Sequence, residues 1–239
     1  MHIRHNRSVE EIVQAAIQED VQGIAISSYQ GGHVEYFKYM YDLLKEKGAS
    51  HIRIYGGGGG VIIPKEINEL HDYGIARIFS PEDGRQLGLQ GMIDLMMAEC
   101  DFSTVQGLDE RHFDLLKQKD PKTVAAFISY AEAKMIENER DPLLEKLENM
   151  QEKSPVVGIT GTGGAGKSSL IDELVRRYLN EFDDLTIAIL SVDPTKQKTG
   201  GALLGDRIRM NAIHSNRIFM RSLATRTSKT ELSEAIRDA

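Results

Sequence analysis

The sequence predicts an α/β protein built as two doubly wound parallel-sheet units joined by a helical linker. Three observations support this. Helix-like and strand-like stretches alternate from Ser8 to about Ser103, a polar strand-free stretch follows, and a second strand–loop–helix unit opens at Pro155. The expected boundaries are 1–103, 104–153 and 154–239.

The first unit opens with Ser8-Val-Glu-Glu, a capping-box pattern, and Ile12, Ala15 and Ala16 then recur at helical spacing. Gly23–Ser28 reads as a short buried strand. Tyr36–Lys47 reads as a helix stopped by Gly48, and His51–Tyr55 as a second strand that ends in Gly56–Gly60. Pro64–Tyr73 looks helical, Ala76–Ser80 is a third strand, and Glu82 opens a helix running through Met97. In the connecting stretch, Asp120-Pro121 is a helix start, with Val124, Phe127, Ile128 and Ala131 on one face. Leu143, Leu144, Leu147 and Met150 form a second amphipathic stripe. The second unit offers strands at Val156–Thr160 and Leu185–Val192, a weaker one at Ile218–Met220, and a capping box, Ser228-x-x-Glu231, for a terminal helix.

A length of 239 residues suits one large domain or two small ones, and 41% hydrophobic with 27% charged residues is ordinary for a globular protein. The net charge of −7 argues against nucleic acid as a main partner. Cys100 stands alone, which excludes an internal disulfide or a multi-cysteine metal site. No apolar run approaches the roughly 20 residues of a membrane span, and the basic start, Met1-His-Ile-Arg-His-Asn-Arg, lacks a signal-peptide core. A cytoplasmic location is the expectation.

Gly161-Thr-Gly-Gly-Ala-Gly-Lys167-Ser168 matches G-x-x-x-x-G-K-[ST], between an apolar run and an amphipathic stretch. Four glycines let backbone N–H groups turn inward around a di- or triphosphate, and the following helix N-terminus adds partial positive charge. Gly163, Gly164, Ala165 and Gly166 would form the cradle. Lys167 would bridge the terminal phosphates as the catalytic cation, and the Ser168 hydroxyl would ligate Mg²⁺. Asp193, before Pro194, ends a strand where ligands of open α/β sheets sit, so it is either a Mg²⁺ carboxylate or a turn former. Thr199–Met210 offers glycines, Asp206, Arg207 and Arg209; it reads as a switch-like segment, or Asp206 as a helix cap only.

Taken together, Gly-x-Gly-Gly-x-Gly-Lys-Ser, Ser-Val-Asp-Pro and Thr-Gly-Gly-Ala-Leu-Leu-Gly-Asp-Arg-x-Arg-Met resemble the small GTPases that chaperone cobalamin-dependent acyl-CoA mutases. The resemblance implies GTP as the nucleotide, a Mg²⁺ site at Ser168, Asp193 and Asp206, and Arg209 near the phosphates. That family's later acidic strand and its Asn-Lys-x-Asp loop do not occur within these residues. Weak or absent hydrolysis by this chain alone is therefore expected.

In the first unit, Ser27-Ser28-Tyr29-Gln-Gly-Gly-His33 and Tyr55–Pro64 follow successive strands, and small residues there let a bulky ligand approach the backbone. By residue type alone these are ligand-binding strand ends or flexible loops. With Phe79-Ser-Pro-Glu-Asp-Gly84 they resemble the flavodoxin-like cobalamin-binding domain of adenosylcobalamin mutases. The resemblance implies that Ser27, Ser28, Tyr29, Gly59 and Gly60 line a pocket for the cofactor's tail, with Tyr29 standing where related domains often have Leu. The order of units is similar to that of the fused isobutyryl-CoA mutases, isomerases with GTPase activity in which a barrel binds the acyl-CoA. A homodimer of the full-length protein is the matching expectation. The cobalt-ligating Asp-x-His-x-x-Gly loop does not occur here, and neither His2 nor His5 has its motif. His33, His51, His71, His112 and His214 likewise carry no expected metal role. In the family that loop follows the domain's first strand, which also has no match here, so poor cobalamin binding and exposed sheet edges are expected. A separate cobalamin-trafficking GTPase chaperone is the alternative, and an ATPase or kinase with an unrelated sensor domain a third.

Overall fold

The computed structural model describes residues 1–29, 31–137, 141–150, 154–193 and 206–224. The glycine stretch from Thr199 to Gly205 and the capping box at Ser228 lie outside the described residues. The chain forms two compact units, one comprising 8–106 and the other 107–239 together with 1–7.

The first unit is a three-stranded parallel sheet in chain order, β1 (Gly23–Ser27), β2 (Arg53–Gly57) and β3 (Arg77–Phe79). Three of its helices are α1 (Val9–Gln18), α2 (His33–Glu46) and α3 (Pro64–Tyr73). The capping box of α1 is complete: Glu11 N donates to Ser8 Oγ, and Ser8 N donates to Glu11 Oε2. Val13, Phe37, Met40, Leu44, Ile54, Leu70 and Ile78 are the buried side chains around which these elements close.

Several boundaries differ from the sequence expectation. Strand β2 starts at Arg53, not His51, and runs two residues into the glycine run, with Gly56 and Gly57 in register with Ile26 and Ser27. The reason is steric: a Cβ at Gly56 would lie 2.5 Å from Phe37 and 2.6 Å from Ile78. Helix α2 begins three residues early, at His33, because the buried His33 imidazole is tied to Glu66 at the start of α3 (Nε2 to Oε2, 3.0 Å). Helix α4 (Pro81–Cys100) extends past the expected end and is kinked at Gly88. None of its residues is buried, and Leu89 and Met97 stay 72% and 67% exposed.

In the second unit a two-stranded parallel sheet pairs β4 (Ile187–Asp193) with β5 (Ile218–Ala224) along seven residues. Helix α8 (Lys167–Glu181) packs on it through Val175, Ile189, Met210, Ile213, Ile218 and Met220. The Arg217 guanidinium caps the far end of α8, donating to Leu179 O (2.8 Å) and Phe182 O, where helix carbonyls lack partners. The 107–150 stretch forms α5 (Phe113–Lys117), α6 (Pro121–Glu137) and α7 (Pro142–Asn149). It is more than a spacer. Arg221 of β5, 6% exposed, donates to Ser129 Oγ (2.8 Å) and Glu132 (3.1 Å) on α6, and Lys119 Nζ donates to Thr186 Oγ1 (2.9 Å).

One expected strand does not form. Val156–Thr160 takes up no strand pairing, and Val156 and Val157 are 93% and 80% exposed. A strand exists only by exchanging hydrogen bonds with a neighbour, and no described strand pairs with this one. Conversely β5 is longer than expected. Arg221 breaks the apolar pattern, yet the ion pair with Glu132 lets it be buried mid-strand.

Candidate functional site

The candidate phosphate cradle comprises Gly161–Gly166 and the start of α8. Gly164 (φ 81°) and Gly166 (φ 83°) hold the left-handed conformation that lets the chain reverse into the helix, and Gly166 is its N-cap. A Cβ at Gly163, Gly164 or Gly166 would meet nothing within 4 Å, so these positions border open space. Gly161 to Gly166 are exposed, and Lys167 and Ser168 are half-buried in the first helical turn. The Lys167 side chain folds back over the loop, its Nζ donating to Gly161 O (2.7 Å) and Thr162 O (2.9 Å). An ammonium held by carbonyls at the rim of a ring of small residues, with a helix N-terminus behind it, attracts and orients a polyphosphate.

The other predicted residues of this unit sit on separate elements. Asp193 ends β4, and Asp206 opens the short helix α9 (Asp206–Arg209), the side chains of both lying outside the described part. Arg209 is exposed at the last position of α9, while Arg207 is buried and donates to Met220 O. Sequence reasoning grouped the two arginines. The structure separates them, because residues two apart on a helix do not share a face.

In the first unit, the carboxyl ends of all three strands meet. Ser28 N donates to Gly57 O (2.8 Å), and a Cβ at Gly58 would lie 2.3 Å from Ser28 O. Gly59 (φ 57°) and Gly60 (φ 95°) turn the chain, the Tyr29 ring lies 2.9 Å from the Cβ position of Gly59, and Pro81 lies 3.3 Å from that of Gly60. Ser28, Tyr29, Gly59 and Gly60 thus form one surface, with Ser27 in register opposite Gly57. Gly58, the tightest position, did not stand out in the sequence, since nothing distinguishes one glycine of five before their contacts are known.

At the third strand end, Asp83 accepts from Ser80 Oγ (2.6 Å), Ser80 N (2.8 Å) and Arg77 (3.0 Å). The Ser80 hydroxyl, the Ser80 N–H and the Arg77 guanidinium hold its carboxyl at about 2, below the usual 3.8. A depressed carboxylate stabilises the fold above its ordinary range and loses that contribution as pH falls towards its folded value. Asp83→Asn is therefore expected to cost about 1 kcal/mol at neutral pH, by loss of cap and ion pair. Urea midpoints should converge with those of the unsubstituted protein as the pH drops below about 4. A constant gap down to acid pH would contradict this assignment.

Comparison with known proteins places these two sites in one context. Residues 124–239 match the family described as Methylmalonyl Co-A mutase-associated GTPase MeaB. The whole chain is 67% identical to the fused isobutyryl-CoA mutase of Geobacillus kaustophilus and 56% identical to that of Cupriavidus metallidurans, covering 22% of each. A third, from Nocardia farcinica, is 50% identical over 95% of this chain and 21% of its own length. Over its length the chain is similar to one segment of these fused isobutyryl-CoA mutases. It spans about a fifth of the length of these relatives, and the similar span includes both candidate sites. The family's GTPase match begins at Val124, inside α6, the helix that receives the buried Arg221 of β5. Among the described residues no helix is long and apolar enough to cross a membrane.

Proposed function

We propose that this chain carries a GTP-phosphate cradle at Gly163–Ser168 and a cobalamin-tail cradle at Ser27–Tyr29 and Gly59–Gly60. The protein it belongs to would interconvert isobutyryl-CoA and n-butyryl-CoA. The observation that carries the reading is the Lys167 ammonium held over a left-handed glycine loop at the start of α8, in a chain that aligns with fused mutases across both units.

The residues present fit both groups. Open space at Gly163, Gly164 and Gly166 admits phosphate oxygens to the backbone, and Lys167 supplies the charge. Ser168, Asp193 and Asp206 would hold Mg²⁺, with Arg209 near the phosphates. In the first unit, backbone exposed at the glycine turn and the flat Tyr29 ring beside it suit a planar heterocyclic tail. Adenosylcobalamin, when bound, would supply radical chemistry for carbon-skeleton rearrangement. Ser27 and Ser28 would offer hydroxyls to its tail, and Tyr29 would shield the tail from water. The GTPase unit would gate cofactor loading, acyl-CoA would bind in the barrel segment of the relatives, and the full-length protein would act as a cytoplasmic homodimer. A separate cobalamin-trafficking GTPase chaperone is the second reading, and the GTPase match at 124–239 suits it as well.

Equilibrium titration with a fluorescent GTP analogue tests the nucleotide part. Lys167→Ala is expected to weaken binding at least tenfold, roughly 1.5–3 kcal/mol for the lost charged hydrogen bonds. Equal affinity in both proteins would overturn it, and stronger competition by ATP than by GTP would point to an ATPase.

A further inference from the structure

We infer that Asp172 is a positioning residue that fixes α9, and with it Asp206 and Arg209, relative to the P-loop; the inference rests on the nucleotide reading above. Asp172 lies on α8 five residues after Lys167, about 7.5 Å along the axis at the standard rise. Its Oδ1 accepts from two consecutive backbone donors, Asn211 N and Ala212 N, both at 2.7 Å, and its Oδ2 accepts from Asn211 Nδ2 at 3.3 Å. These are the residues that directly follow α9 and Met210.

The small helix is pinned on the other side as well. The Arg207 guanidinium donates to Met220 O on β5, and Met210 is 1% exposed in the core with Val175 and Ile213. Between these anchors only Ile208 and Arg209 are not buried, and Arg209 is exposed. A helix of four residues cannot hold its own position, because forming one turn is entropically unfavourable without tertiary support. Its placement is set by what grips it. The grip at Arg207 ties α9 to the sheet, Met210 packs beside Val175 of α8, and Asp172 adds the hydrogen-bonded tie to the same helix that carries Lys167 and Ser168. Any ligand contacted jointly by the P-loop and by α9 therefore depends on this carboxylate, whereas one contacted by the P-loop alone does not.

The two dependences separate experimentally, using the full chain and fluorescent analogues of GTP and GDP, each titrated with and without Mg²⁺. Asp172→Ala is expected to weaken the triphosphate with Mg²⁺ roughly tenfold, the usual scale for hydrogen bonds to a charged group. The diphosphate without Mg²⁺ should change less than twofold. Asp172→Asn keeps the Oδ1 acceptor and is expected to restore most of the loss. Should Asp172→Ala melt below the assay temperature, Asp172→Glu carries the same test, since it keeps the charge but displaces the carboxylate. Unchanged triphosphate affinity in Asp172→Ala or Asp172→Glu, alongside lost binding in Lys167→Ala, would overturn the inference and leave the nucleotide reading intact. Equal losses for triphosphate and diphosphate would also overturn it, by reducing Asp172 to a stabilising role. Undiminished binding in Lys167→Ala would remove the nucleotide reading and this inference with it.

Discussion

Gly58→Ala is expected to destabilise the first unit by about 3 kcal/mol, the upper range for forcing extra volume into a packed site. The added Cβ would lie 2.3 Å from Ser28 O and 3.0 Å from Ile62 Cγ1. The first neighbour is backbone, and it cannot step aside as a side chain would. Ser28 is also bonded through its N–H to Gly57 O, so moving it breaks the last rung between β1 and the glycine turn. The same shift would pull Ser28 and Tyr29 from Gly59, so any ligand held by these strand ends should be lost together with the stability. Urea denaturation followed by circular dichroism measures the first effect. Gly31→Ala, where a Cβ meets nothing within 4 Å, is the matched control and should change little. A Gly58→Ala protein as stable as the control would mean that the strand ends are not packed in this way.

The second large effect is expected at the ion pair between β5 and α6. Arg221→Met should cost about 3 kcal/mol, because it strands a partly buried carboxylate without its partner. The Glu132 side chain is 20% exposed and the Arg221 side chain 8%, so water cannot replace the lost partner fully. Combining Arg221→Met with Glu132→Met should recover most of that loss, since replacing both charges by apolar groups removes the desolvation cost as well. Thermal melts of the two single variants and the double variant measure the coupling. Strictly additive losses would show that the pair carries no coupling between the strand and the helix.

Both expectations concern features that the sequence shows only in part. The five glycines from Gly56 to Gly60 are legible as a place where backbone must be bare, and Gly59 and Gly60 do turn with positive φ. What could not be read is that Gly56 and Gly57 belong to the strand; at Gly56, Phe37 and Ile78 fill the space a side chain would need. Likewise, Arg221 reads as the end of an apolar run until Glu132, 89 residues earlier in the chain, is seen to neutralise it. The apolar run before the P-loop reads as a strand from its composition, yet composition cannot supply a pairing partner, and Val156 and Val157 are in solvent. Asp172 gave no signal at all. It is one acidic residue on an amphipathic helix, and its donors lie 39 and 40 residues away.

The sequence by itself determined what is local or depends on motif order. It specified alternating helices and strands, the capped start at Ser8, the glycine loop ending in Lys167-Ser168, and the succession of two strand-end motifs that resembles one family. These are set by backbone conformation, side-chain periodicity and short-range hydrogen bonding, which act between residues close in the chain. The tertiary structure alone decided which strands pair, which glycine is tightest, where Arg221 is neutralised and what holds α9 beside α8. Each of those depends on steric or electrostatic contact between distant segments, and such contact exists only after the chain has folded.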